Sequence, residues 1–189
     1  MAVDVTAIHV GSGTLELFEI VNGTPNSEAD VTVAASDEGG ALAYTRGVQM
    51  ISIDEAIGPI DHFVDDEELT FEIAANEFTA KILQAAFGHG EITTTVPGTG
   101  VAGSDELKFG GAAINKQYKL VYTVPRRANP NLNIVITLHR VVGVSEVESG
   151  FTKTGKTSIP LQFRALMDLS KPKGEQLGTI LIETAEATG

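Results

Sequence analysis

Residues 118–139 read YKLVYTVPRRANPNLNIVITLH, two runs of alternating character separated by a short proline-bounded segment. Tyr118, Leu120, Tyr122 and Val124 alternate with Lys119 and Thr123. After the break, Leu132, Ile134, Ile136 and Leu138 alternate with Asn133, Thr137 and His139. Successive side chains of a β-strand point to opposite faces, so each run predicts a strand with one buried face. Pro125 to Pro130 supplies the turn, which makes the pair an antiparallel hairpin.

The same period recurs on both sides of this hairpin. Leu69, Phe71 and Ile73 alternate with Thr70 and Glu72; Ile159, Leu161 and Phe163 mark a further strand; Thr179 to Ile182 marks the last. One segment differs. Phe78, Ile82, Ala86 and Phe87 recur at helical spacing, with Glu77 and Lys81 as an i,i+4 pair, Asn76 as N-cap and Gly88 as terminator. This predicts a helix over 77–87. Residues 21–43 and 88–116 concentrate Gly, Pro, Asn, Asp and Ser and read as long loops, mobile until a neighbour orders them. Burying many one-faced strands and one helical stripe predicts a mainly β fold, a sandwich or partial barrel with one flanking helix.

A chain of 189 residues fits one domain, 1–189, and folding at this size hides about 70% of the unfolded surface. With no cysteine, disulfides, thiolate metal sites and a cysteine nucleophile are excluded together. No segment approaches the ~20 apolar residues of a membrane span, and Met1 to Val10 lacks the order of an export signal. Synthesis in a cytoplasm is therefore expected. Thirteen basic against 25 acidic residues leave a net charge of −12, which repels phosphate and disfavours electrostatic gripping of nucleic acid.

Catalytic motifs fail on context. GFTKTGKT at 150–157 matches the P-loop pattern, but the motif needs a helix starting at the lysine. Ser158 to Phe163 alternates like a strand and carries Pro160, so Lys156 reads as an ordinary lysine. Gly98, Gly100 and Gly103 spell G-x-G-x-x-G without the strand before and helix after that dinucleotide binding requires. His9, His62, His89 and His139 lie far apart, with no metal-ligand spacing. No serine sits in a nucleophile elbow. Neither an enzyme nor a cofactor or metal site is expected. The acidic run Asp65 to Glu68 lacks the spaced ligands of a calcium loop and reads as a solvated hairpin end.

ISIDEAIGPID at 51–61, followed by ELTFEIAANEFTAKILQAAFG at 68–88, resembles the middle of tail tube (major tail) proteins of long-tailed, non-contractile bacteriophages. AYTRGVQM at 43–50 and TSIPLQFRALMD at 157–168 are similar to the entry and late strand of the same family, so the matches span about half the chain in order. The glycine-rich 88–116 stretch and the 21–43 loop depart from the pattern.

What the resemblance implies is a structural subunit of the virion tail. It would pair with itself in six-membered rings that stack into a tube, meet the tape measure, tail terminator and distal tail proteins, and let DNA pass without specific binding. Assembly would occur in the host cytoplasm and involve no membrane. On this reading Asp54, Glu55, Asp61, Asp65, Asp66, Glu67 and Glu68 face the lumen, where negative charge keeps the duplex unbound. Pro25, Asn26, Glu28, Asp30, Asp37 and Glu38 belong to an inter-ring loop. The alternatives are another phage structural subunit, such as a tail terminator or decoration protein, or a monomeric β-sandwich binding module. The last would ordinarily show aromatic platforms, and this chain has three Tyr, eight Phe and no Trp.

Overall fold

The computed structural model describes residues 13–34, 36–54, 57–111, 115–127, 129–147 and 158–185. In chain order the elements are β1 (Thr14–Val21), β2 (Thr24–Pro25), β3 (Val31–Val33), β4 (Ser36–Ile51) and β5 (Asp61–Ala75). Helix α1 (Ala80–Phe87) follows, then β6 (Glu91–Thr95), β7 (Ser104–Lys108), β8 (Gln117–Pro125), β9 (Asn133–Gly143), β10 (Ile159–Ala165) and β11 (Gly178–Ile182). The fold is mainly β with one helix, as the periodicities predict.

Nine strands form one antiparallel sheet with the path β2-β1-β8-β9-β10-β5-β4; β3 also pairs with β1, and β11 with β9. The opening hairpin of the sequence is β8–β9, with Leu120 opposite Leu138 and Tyr122 opposite Ile136. Along the other edge of β9, β11 pairs with Ile134 to Leu138 and β10 with Val141 to Gly143. β6 and β7 make a separate two-stranded hairpin.

The sheet curls without closing into a barrel among the described residues. Its core-facing side chains come from alternate positions: Leu15 and Leu17, Phe71 and Ile73, Tyr118, Leu120 and Tyr122, Leu161 and Phe163, all buried. The rings of Phe71 and Tyr122 meet across the concave side with centroids 5.0 Å apart. At this seam the Tyr122 hydroxyl oxygen accepts from the Gly13 N–H (3.0 Å) and the Gly40 N–H (2.8 Å). A Cβ at Gly13 or Gly40 would collide with the Tyr122 or Phe71 ring, so both positions need glycine. A side-chain hydroxyl thus joins the β1 end and β4, which no strand pairing links among the described residues.

Helix α1 is shorter than predicted. It starts at Ala80, and the cap is Thr79, whose Oγ1 accepts the Ile82 N–H at 3.2 Å, rather than Asn76. The buried stripe is Ile82, Ala85 and Ala86, while Phe78 precedes the helix and is half exposed. Glu77 also precedes it, so the expected Glu77–Lys81 helical pair lacks its geometry. Gly88 ends the helix as predicted, in the left-handed conformation (φ 70°).

Both expected long loops are corrected. Within 21–43, Asn22 and Gly23 take positive φ and turn the chain into β2; β3 returns along β1; residues from Ser36 onward belong to β4. Within 88–116, β6 and β7 pair from Glu91↔Lys108 to Thr95↔Ser104. Turn-rich composition marks the bends between short strands as readily as a loop.

Candidate functional site

The β4–β5 hairpin is the feature that stands apart. β4 is the last strand of the path and pairs only with β5 among the described residues, so apart from the Gly40 N–H, which the Tyr122 hydroxyl accepts, its other backbone edge carries no strand. β5 pairs with β10 from Thr70 to Ala75, so from Asp61 to Leu69 its second edge has no strand beside it among the described residues. Unpaired edges of this length are templates for pairing with another chain.

Register assigns the side chains of this arm. Leu42 faces Phe71 and Tyr44 faces Leu69, so Tyr44, Arg46, Val48 and Met50 continue the core-facing side of β4 beyond the core. A bulge between Gly47 and Val48 inserts Asp65 as an extra residue, which brings Val64 and His62 to that side and sends Phe63 outward. Tyr44, Val48, Met50 and Phe63 are all exposed, as are Ile53, Ile57 and Ile60 of the turn. Tyr44, Leu69 and Ile180 border a groove of about 450 Å³ between the arm and β11, and Ile180, Leu181 and Ile182 of β11 are exposed too. This apolar surface was missed from the sequence. Its only signal is an apolar content in 48–64 higher than a solvated hairpin needs.

The seven acidic residues do not share one face. Asp61, Asp66 and Glu68 lie on the outward side of β5, and Asp65 at the bulge joins them by accepting from Gln49 Nε2 at 2.8 Å. Glu67 points to the opposite, core-facing side. There it pairs with Arg46 (3.2 Å) and accepts from the Tyr44 hydroxyl (3.2 Å). Glu68 pairs with Arg164 at 3.3 Å. Asp54 lies in the turn, and Glu55 lies outside the described residues. The acidic run Asp65 to Glu68 lies within strand β5 rather than at the hairpin end.

The residues expected in an inter-ring loop are used locally. Asp30 accepts from the Glu19 N–H (2.7 Å) and from Asn26 Nδ2 (3.0 and 3.1 Å), which ties 26–30 to β1. Pro25 pairs with Ile20 in β2. Glu28 is exposed, and Asp37 and Glu38 lie in β4.

The other motifs acquire no chemistry. The P-loop match at 150–157, with Lys156, lies outside the described residues; the segment that follows is strand β10, with Pro160 opposite Ala74. The glycines at 98–103 sit in the β6–β7 hairpin. A strand does lead into them, contrary to expectation, yet a strand rather than a helix leads out. No group of three or more His, Cys, Asp or Glu side chains among the described residues is placed to hold a metal. His89 accepts the Gly110 N–H at Nε2 and donates from Nδ1 to the Phe87 carbonyl, and His9 lies outside the described residues.

Burial, with Lys171 and Lys119 nearby, lowers the His139 pKa against the pull of Asp168. Hydrogen bonds from the Ser170 hydroxyl and N–H lower that of Asp168. Burial first, then Glu19 and Asp30, raise that of Tyr118, whose hydroxyl oxygen has no partner. None of these groups forms a nucleophile–base constellation. No helix is long and apolar enough to cross a membrane among the described residues. No protein-family model matches the chain, and no curated protein matches it either.

Proposed function

We propose that this chain is the tail tube subunit of a long-tailed, non-contractile bacteriophage, assembling as stacked six-membered rings into a hollow conduit for DNA. The observation that carries the reading is the β4–β5 arm. It has an edge strand, β4, with no second strand beside it among the described residues, and a cladding of exposed apolar side chains that one copy leaves in water. A monomer gains nothing from such an arm, whereas head-to-tail pairing of one copy's edge with the next satisfies both backbone and apolar groups. Such heterologous contacts close into rings when the rotation permits.

Charge supports the conduit. Asp61, Asp65, Asp66 and Glu68 share one side of the arm, and a wall bearing them disfavours the many phosphate contacts that would hold a duplex. Glu67 leaves this set because it faces the other way, toward Arg46, and Arg164 offsets the charge of Glu68 within it. Partners follow from the reading: other copies, a tape measure protein inside the tube, and terminator and distal tail proteins at its ends.

Negative-stain microscopy of the purified protein tests the assembly. Hollow rings or tubes are expected; monodisperse particles of monomer size across a wide concentration range overturn it. The lumen assignment is tested by Asp65→Lys with Asp66→Lys, which shifts a sixfold ring by about 24 charges and should produce salt-sensitive DNA retention. Unchanged DNA delivery by intact mutant particles would move these carboxylates to the outer surface.

A further inference from the structure

We propose that Asn22, in the turn between β1 and β2, is a site of spontaneous deamidation in the folded chain, where the Gly23 backbone nitrogen displaces the side-chain amide and leaves an isoaspartyl or aspartyl residue. The inference concerns the single chain and does not rest on the tube reading.

The reaction needs a following residue whose nitrogen can approach the side-chain carbonyl. Of the asparagines in the sequence, Asn22 alone precedes glycine, which has no Cβ to hinder that approach. The fold keeps the pair in the open. Asn22 (φ 52°) and Gly23 (φ 81°) are the central residues of a two-residue turn and both are exposed. Apart from the chain neighbours, no heavy atom lies within 4 Å of where a Gly23 Cβ would stand. Positive φ at both positions is what suits Asn-Gly to such a turn, so the geometry that makes this hairpin also selects the reactive pair.

Ring closure requires the chain to rotate out of the turn at Asn22, and the local pairing permits it. β2 is two residues long and meets β1 only at Ile20↔Pro25 and Val21↔Thr24. A hairpin end of this size frays at little cost, while the Asn26 N–H, donating to the Glu19 carbonyl at 2.9 Å, holds the next rung. Asn26 is the counterexample. It precedes Ser27, another small residue, and is exposed too, but its Nδ2 donates to both Asp30 carboxylate oxygens at 3.1 and 3.0 Å, which fixes the side chain against ring closure. The Asn22 amide makes no hydrogen bond among the described residues.

In the reaction the Gly23 nitrogen gives its proton to hydroxide and attacks Asn22 Cγ. An N–Cγ bond forms, the Cγ–Nδ2 bond breaks, and the amide nitrogen leaves as ammonia after taking a proton from water. Water then opens the cyclic imide at either carbonyl, with no change of oxidation state. Opening at the main-chain carbonyl gives isoaspartate, whose backbone is one carbon longer. A two-residue turn has no room for that atom, so the Val21↔Thr24 pairing is lost while the core is untouched.

The soluble protein, aged at mildly alkaline pH, is followed by isoelectric focusing and by peptide mapping with mass spectrometry. A species more acidic by one charge should appear at a rate proportional to hydroxide and map to Asn22, with Asn26 intact. Its Val21 and Thr24 amides should exchange hydrogen faster than those of fresh protein. Asn22→Gly, which keeps a residue suited to positive φ and removes the amide, should abolish the acidic species. Deamidation of another asparagine ahead of Asn22, or an Asn22 that stays intact in the folded protein while it reacts in a free peptide of the same turn, overturns the proposal. Neither result depends on whether rings or tubes form.

Discussion

Phe71 and Phe63 lie on the same strand, paired with the same partner strand, yet Phe71 is fully buried and Phe63 is 53% exposed. Around Phe71 the hairpin is one lane of a curled sheet: β10 pairs on one side, β4 on the other, and Tyr122 packs across the concavity. Around Phe63 the same two strands run on alone. The proximal half therefore stabilises the monomer, while the distal half carries apolar groups that the monomer does not use. A large apolar patch on a projecting, edge-exposed arm marks an interaction surface.

The contrast is broken most severely at Phe71. Phe71→Ala should cost about 3–5 kcal/mol, read as a lowered urea midpoint with an unchanged slope, because it empties the centre of the core. A cost below about 1 kcal/mol would mean that the proximal half is not the core. Tyr122→Phe comes next. It leaves the Gly13 and Gly40 N–H groups without their acceptor, for a loss of about 1–3 kcal/mol, and it should raise hydrogen exchange at those two amides first.

Smaller effects sharpen the edges of the comparison. Thr79→Ala removes the cap of α1 and should cost about 1 kcal/mol without affecting the β4–β5 arm. Tyr118→Phe should be nearly neutral at pH 7, since the buried hydroxyl has no partner to lose. Its folded pKa is raised above the unfolded value, so the wild type is fully stable below the ordinary tyrosine pKa, about 10, and loses stability as pH rises past it. The phenylalanine variant should lose less over that alkaline range, as followed by circular dichroism. Phe63→Ala should change monomer stability least, within about 0.5 kcal/mol. Its effect should instead be a loss of tubes by electron microscopy. A large stability loss here would erase the distinction between the two halves.

Much of the fold was legible before any coordinates. Strict alternation in 118–124, 132–138, 69–73 and 159–163 named strands and their buried faces, because a half-buried strand leaves a period of two and little else does. The end of α1 at Gly88 was legible for a similarly local reason, the need for a left-handed residue. The start was not: Asn76 and Thr79 are both competent caps, and only the packing of Ile82, Ala85 and Ala86 against the sheet selects Thr79. The candidate site was legible in part. The acidic run identified the right hairpin, but a single bulge at Asp65 decides which carboxylates share a side, and composition carries no trace of it.

By itself the sequence determined a β-rich, cysteine-free, acidic chain, its main strands and its one helix, since these depend on side-chain period and local backbone chemistry. The tertiary structure decided what depends on residues far apart in the chain. It set the order β2-β1-β8-β9-β10-β5-β4, the seam closed by one tyrosine hydroxyl, and the point along β5 where its neighbour β10 ends. An apolar residue reads the same whether a strand covers it or not. Phe71 and Phe63 therefore became different residues only when the bulge at Asp65 turned Phe63 to the outward side and β10 was found to stop pairing at Thr70, leaving the arm beyond it without a second neighbour among the described residues.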